Sequence, residues 1–232
     1  MGYMGYMLIV GVFTLIGGVI SSRLKSKFKK YSQVPTSSGM TGAEIAREML
    51  SYYGITDVKI VEGRGFLSDH YNPVSKTVAL SPEVYRGRHV SAAAVSAHEC
   101  GHAVQHAEAY QMLKVRSALV PAVQASSRIQ QFLFYGFMFG LAASPALGQW
   151  FMLALVITFG MTALFSLITL PVEFDASRRA LVWLDNTGVT RGAEYEGAKD
   201  ALWWAAMTYV ASALSALVMF LYFLMQFLGS RE

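Results

Sequence analysis

Apolar residues in this chain fall into long blocks separated by short polar segments. The first block, Met4 to Ile20, is near the lower length limit for a helix that crosses a bilayer. Arg23, Lys25, Lys27, Lys29 and Lys30 follow it directly. A secretory signal peptide carries its charges before the apolar core and a small-residue cleavage site after it. The order here is reversed, so residues 1–22 are expected to be an uncleaved anchor. A second block, Leu119 to Leu170, is too long for one span, and Ser144, Pro145 and Gly148 supply turn residues near its middle. The pattern predicts a transmembrane hairpin within 124–170, with spans at 124–145 and 149–170. Arg128 falls near the inner interface, where its side chain can snorkel. The last block, Trp203 to Leu228, opens on Trp203 and Trp204, which suit an interface, and predicts a C-terminal span within 203–232.

The segment between the first two predicted spans, residues 23–123, has shorter periods. Thr41 and Glu44 form a capping-box pattern, and Ile45, Met49 and Leu50 follow at helical spacing. Val58, Ile60 and the run Val74 to Leu80 have strand content, and His70-Tyr71-Asn72-Pro73 is expected to turn between them. Ser91 is the expected cap of a further helix that carries His98 and His102. Ser32 to Thr41 is polar and linker-like, and no internal repeat is present.

Composition strengthens the membrane reading. Charged residues make up only 15% of the chain and hydrophobic ones 54%, against about 25% charged in an average soluble domain. Between Glu108 and Glu173 there is no Asp or Glu, and the only charges are Lys114, Arg116 and Arg128. The net charge of +4 comes from basic residues that flank apolar blocks and accompany no nucleic-acid motif, so nucleic acid is excluded as a partner. The positive-inside rule then places the N-terminus outside and residues 23–123 and 171–202 in the cytoplasm. In that arrangement, of all the Lys and Arg residues only Arg231 lies outside. The single cysteine, Cys100, excludes an internal disulfide and a CxxC metal site.

Candidate chemistry centres on His98-Glu99-Cys100-Gly101-His102. Histidines four apart on a helix point from one face. The HExxH pattern combines two neutral nitrogen ligands for zinc with a carboxylate, Glu99, that can take a proton from water. His106 continues the spacing, but at eight residues from His98 it lies about 12 Å away along a straight helix, too far to share one ion. The HExxHxxGxxH route fails because Gln105 and Glu108 replace its glycine and third histidine. After Glu108 the next carboxylate is Glu173, and the predicted hairpin returns it to the side of the histidines. Glu173 is therefore the expected third ligand, with Asp175 as the alternative. Cys100 falls about 200° round the helix from His98 and is expected to be a packing residue. His70, His89 and Tyr195 are candidate oxyanion donors, Arg178 and Arg179 can orient Glu173 or contact substrate, and Gly11, Gly17 and Gly18 can pack helices closely.

The segments Leu67 to Tyr85 and Ala97 to His106, with Leu113 to Arg128 and Pro171 to Ala180, resemble the YugP-type bacterial neutral zinc metallopeptidases. These are in turn similar to the HtpX and CAAX-prenyl membrane endopeptidases, whose third ligand is the Glu of an ExxxD pattern on a later helix. Glu173 matches that Glu, whereas Ser177 stands where the Asp would be. The resemblance implies a zincin-like protease domain, a polypeptide substrate and an edge strand beside the metal on which a peptide is laid. Val74 to Leu80, with Val74, Thr77, Val78 and Ala79 contacting substrate, is the matching segment, and His70 lies close by. The fold expected is mostly α, of α+β type: about four transmembrane helices and a cytoplasmic zincin-like metallopeptidase domain with a small sheet, in a multi-pass protein of the bacterial cell membrane. Two rivals are a site-2-type intramembrane protease, faintly echoed by Leu184-Asp185-Asn186, and a non-catalytic zinc-containing scaffold or chaperone. The stretch around His98 is too polar for the first, and the second has no need of Glu99.

Overall fold

A computed structural model describes residues 2–140 and 145–229. The chain divides into two compact units. One takes the described residues within Met1–Val19, Val115–Leu170 and Thr208–Glu232, and the other comprises Ile20–Lys114 and Pro171–Met207.

The first unit is built from parts of four helices: α1 (Gly2–Tyr31), α5 (Gln111–Met138), α6 (Pro145–Asn186) and α7 (Ala193–Gly229). Val156, Met219 and Phe223 form its small core, with Phe159 stacked on Phe223 at 5.0 Å between ring centroids. Among the described residues three helices, not the expected four, are long and apolar enough to cross a membrane: Met4–Tyr31 of α1, Leu147–Asn186 of α6 and Ala193–Gly229 of α7. The physical reason lies in α5, where Gln124, Ser126, Ser127, Arg128, Gln130 and Gln131 interrupt the apolar run. Its expected end and turn fall partly on residues 141–144, outside the described residues, as does Arg231. The excursion nevertheless returns, since the chain leaves the second unit at Val115 and re-enters it at Pro171. Gly11, Gly17 and Gly18 do not mediate close packing, because nothing stands within 4 Å of where a Cβ would be.

The second unit holds α2 (Gly42–Tyr52), β1 (Lys59–Glu62), β2 (His70–Asn72), β3 (Thr77–Leu80), α3 (Pro82–Arg86) and α4 (Val90–Ala107). It also takes the C-terminal part of α1, the start of α7 and residues 171–186 of α6. The Thr41–Glu44 capping box forms as its sequence requires and opens α2. Ile45, Ala46 and Met49 are buried in the core shared with Ala93, Ala97 and Cys100 of α4. Cys100 behaves as a packing residue, fully buried with its thiol directed at the Ala46 carbonyl.

Three local expectations are corrected. His70–Asn72 is a strand, not a turn, because a residue before proline is pushed into extended backbone and Asn72 precedes Pro73. The turn follows instead, where the Asn72 side-chain oxygen accepts from the amides of Val74 and Ser75, and Val74 is 94% exposed outside the strand. The sheet order is β1-β3-β2, with β1 parallel and β2 antiparallel to β3. Thr77, Val78 and Ala79 therefore lie on the central strand, with both backbone edges occupied, and cannot form the expected edge. Finally, His89 caps α4, its Nδ1 accepting from the Ala92 amide at 3.1 Å. The Ser91 hydroxyl donates instead to the Phe28 carbonyl of α1 at 2.7 Å.

Candidate metal centre

Helix α4 is lined with small residues, and Ala92, Ala93, Ala94, Ala97 and Ala103 are all buried. Small side chains let neighbouring helices approach closely, and Gly101 is one such point. A Cβ there would stand 2.6 Å from the Ala176 carbonyl oxygen of α6. Backbone contact at this point sets the HExxH face of α4 directly against the start of the α6 segment that carries Glu173.

Nε2 of His98 and Nε2 of His102 lie 3.4 and 3.5 Å from the same Glu173 oxygen, Oε2. One ligand atom from each residue falls within 4.8 Å of the others, a group that can hold a metal ion. Glu173 is only 2% exposed, and both imidazoles are largely shielded. A buried carboxylate facing two imidazole nitrogens is a donor set suited to zinc, which takes histidine nitrogen and carboxylate oxygen in open catalytic sites.

The far side of each ring is also held. His98 Nδ1 meets the Ser177 hydroxyl at 3.1 Å, and His102 Nδ1 meets Gln105 Oε1 at 3.0 Å. Ser177 thus takes up a contact with His98, although it replaces the Asp of the resembling pattern. Burial alone would lower the basicity of His102; the Glu173 carboxylate, then Glu99 and the Gln105 hydrogen bond, outweigh it and leave the imidazole above its ordinary range. The local field therefore favours positive charge. Glu99 itself is buried. Burial, with Glu99 alongside, pushes the Cys100 thiol far up, so it remains protonated.

The other candidates sit elsewhere. Asp175 does not join the three donors; its carboxylate is taken by Arg178, Arg179 and Gln105. Two residues along a helix is about 200° of rotation, which turns Asp175 off the Glu173 face. Arg178 holds Asp175 at 2.6 Å and is otherwise exposed. His106 bonds through Nδ1 to the Tyr71 hydroxyl at 2.7 Å and is not in the group. His70 turns to the Ser68 carbonyl, and His89 is committed to its cap. Tyr195 lines an open cavity between α6 and α7 that also includes Phe174, Ser177, Leu181 and Trp203. Gln105 was not singled out from sequence, although its place three residues after His102 puts it on the same helix face.

A helix-borne His-Glu-x-x-His pattern joined by a carboxylate from a later helix, in a chain with three apolar helices, defines a membrane protein with a zinc-metallopeptidase type of centre. Residues 6–228 match the profile of the family described as "Putative neutral zinc metallopeptidase", and the chain belongs to that family. Zinc is accordingly the metal assigned to the group. The chain is also 44% identical over 211 residues to the "Putative membrane protease YugP" of Bacillus subtilis (strain 168), covering 90% of this chain and 91% of that protein. No solved structure matches it.

Proposed function

We propose that this protein is a membrane zinc endopeptidase that hydrolyses peptide bonds of polypeptide substrates at the cytoplasmic membrane surface, with Glu99 as general base. The observation that carries the reading is the meeting of His98 and His102 with Glu173 across two helices. His98 Nε2, His102 Nε2 and a Glu173 carboxylate oxygen would hold the ion. Zinc, when bound, supplies a Lewis acid that polarises the scissile carbonyl and makes water acidic enough to deprotonate near neutral pH. The Glu99 carboxylate takes the proton from the attacking water and delivers it to the departing amine nitrogen. Ser177 and Gln105 hold the histidine rings so that neither swings away as charge develops.

The backbone edge open to a peptide is that of β2, not β3. Among the described residues β2 pairs only with β3, leaving its other side without a strand, and it packs against α4. An extended peptide added there would be held by main-chain hydrogen bonds, with little dependence on its sequence. His70, Tyr71 and Asn72 thus take the substrate role assigned from sequence to Val74, Thr77, Val78 and Ala79. The kinship with HtpX and CAAX-prenyl endopeptidases is supported by a glutamate ligand on a later helix, four residues before the position that contacts His98. The site-2-type reading is disfavoured because α4 is not among the helices long and apolar enough to cross a membrane in the described residues, and Leu184 is buried in the second unit's core, apart from the three donors.

The cytoplasmic side is supported by Arg23, Lys25, Lys27, Lys29 and Lys30, which follow the apolar part of α1. Cleavage of labelled casein by the purified full-length protein, abolished by a zinc chelator and restored by zinc, is the test of activity. Undiminished cleavage in the chelator would overturn a zinc-dependent reaction. Sidedness is read with a cysteine at exposed Ser38. Because Cys100 is buried, a membrane-impermeant maleimide should label S38C only after cells are opened.

A further inference from the structure

Gln105 is fully buried and makes three side-chain hydrogen bonds, more than packing requires. Its amide nitrogen faces two acceptors, the Val172 carbonyl at 2.8 Å and the Asp175 carboxylate at 2.9 Å. Neither acceptor can donate, so the nitrogen must lie on that side and Oε1 on the other. Oε1 faces His102 Nδ1 at 3.0 Å, and an amide oxygen only accepts. His102 Nδ1 must therefore carry a proton, which leaves Nε2, 3.5 Å from the Glu173 carboxylate, as the nitrogen that can turn to a metal ion. Asp175 is fixed in turn by Arg178 and Arg179, and Arg179 also reaches Glu108 at 2.6 Å.

We propose that Gln105 is the positioning residue of the metal centre: it selects the Nδ1–H tautomer of His102 and ties that histidine to the backbone beside Glu173. The Val172 carbonyl is adjacent in sequence to the third ligand, so one side chain couples two ligands carried on separate helices. It acts without touching the ion or the substrate. Partners of this kind fix ring orientation, and their loss typically costs roughly ten- to a hundredfold in metal affinity. The inference rests on His98, His102 and Glu173 being the zinc ligands, but not on peptide hydrolysis.

The test uses the full-length protein in detergent. Zinc dissociation constants are measured by competition with a chromogenic chelator for wild type, Gln105→Leu and Gln105→Glu. Nitrogen-15 spectra of the five histidines in the zinc-free protein report which ring nitrogen is protonated. Wild-type His102 should be protonated at Nδ1. Gln105→Leu keeps the side chain's bulk without its hydrogen bonds, and should bind zinc roughly ten- to a hundredfold more weakly and show a mixture of tautomers. Gln105→Glu retains an acceptor for Nδ1–H and should keep that tautomer while losing the tie to Val172. An unprotonated His102 Nδ1 in the wild-type protein would overturn the proposal even if no variant folds. So would wild-type zinc affinity in Gln105→Leu. If wild type binds no zinc yet shows His102 protonated at Nδ1, the ligand assignment falls and the tautomer selection stands.

Discussion

Gly101 on α4 touches the backbone of Ala176 on α6 so closely that a methyl group at Gly101 would stand 2.6 Å from the Ala176 carbonyl oxygen. The HExxH pattern leaves its third and fourth positions free in principle, yet here the fourth has room for hydrogen only. The neighbour is main chain rather than the flexible end of a side chain, so it cannot swing aside. Gly101→Ala must separate the two helices and draw Glu173 away from the histidines. The expected outcome is a loss of about 1–3 kcal/mol of stability, with less than one zinc retained per chain. A thermal melt and metal analysis check it.

Glu99→Gln removes the proposed base without altering a ligand. The variant should retain wild-type zinc content and lose about 10²–10⁴-fold in casein cleavage. Equal cleavage by this variant would sink the mechanism and favour a structural role for the centre.

Glu173→Ala removes the proposed ligand that joins α6 to α4. Zinc in hundredfold excess over its dissociation constant stabilises a folded protein by about 2.7 kcal/mol, so added zinc should raise the wild-type melting temperature. The variant's should not move. Asp175→Ala should keep most of that response, since Asp175 lies outside the donor group.

His89 gives a pH dependence with a definite sign. Its Nδ1 accepts from the Ala92 amide, which requires an unprotonated nitrogen, and burial holds its pKa below the ordinary 6.5. The unfolded chain therefore takes up this proton first as pH falls. Stability owed to His89 is fully present above 6.5 and lost as pH drops through the lower folded value. His89→Asn keeps a good helix cap but removes the titrating ring. Between pH 7.5 and 5 its melting temperature should fall less than that of wild type.

The three donors that the fold brings together were legible from sequence because helical spacing and a missing alternative both constrained them. Two histidines four apart share a face, and after Glu108 the chain offers no carboxylate before Glu173. The capping box of α2 and the inward-facing Cys100 follow from equally local rules. The order of the three short strands does not, because strands of three or four residues with similar content fit several pairings and only tertiary packing selects one. The expected Ser91 cap failed for a related reason: its hydroxyl finds the Phe28 carbonyl of another helix, 63 residues away in sequence. In α5 the apolar length predicts a span, whereas the polar residues scattered along the helix interrupt it. Gln105 escaped notice because its role depends on Val172 and Asp175, which only folding brings near.

The separation of the donors in sequence also sets an order of events during synthesis. His98 and His102 leave the ribosome while Glu173, on α6, has still to be made. Throughout that interval the growing chain has two of its three assigned ligands, and Gln105 lacks both Val172 and Asp175. The centre therefore cannot be completed until the long apolar run before Glu173 has been translated. A chain interrupted earlier carries the whole HExxH motif and remains an unarmed protease.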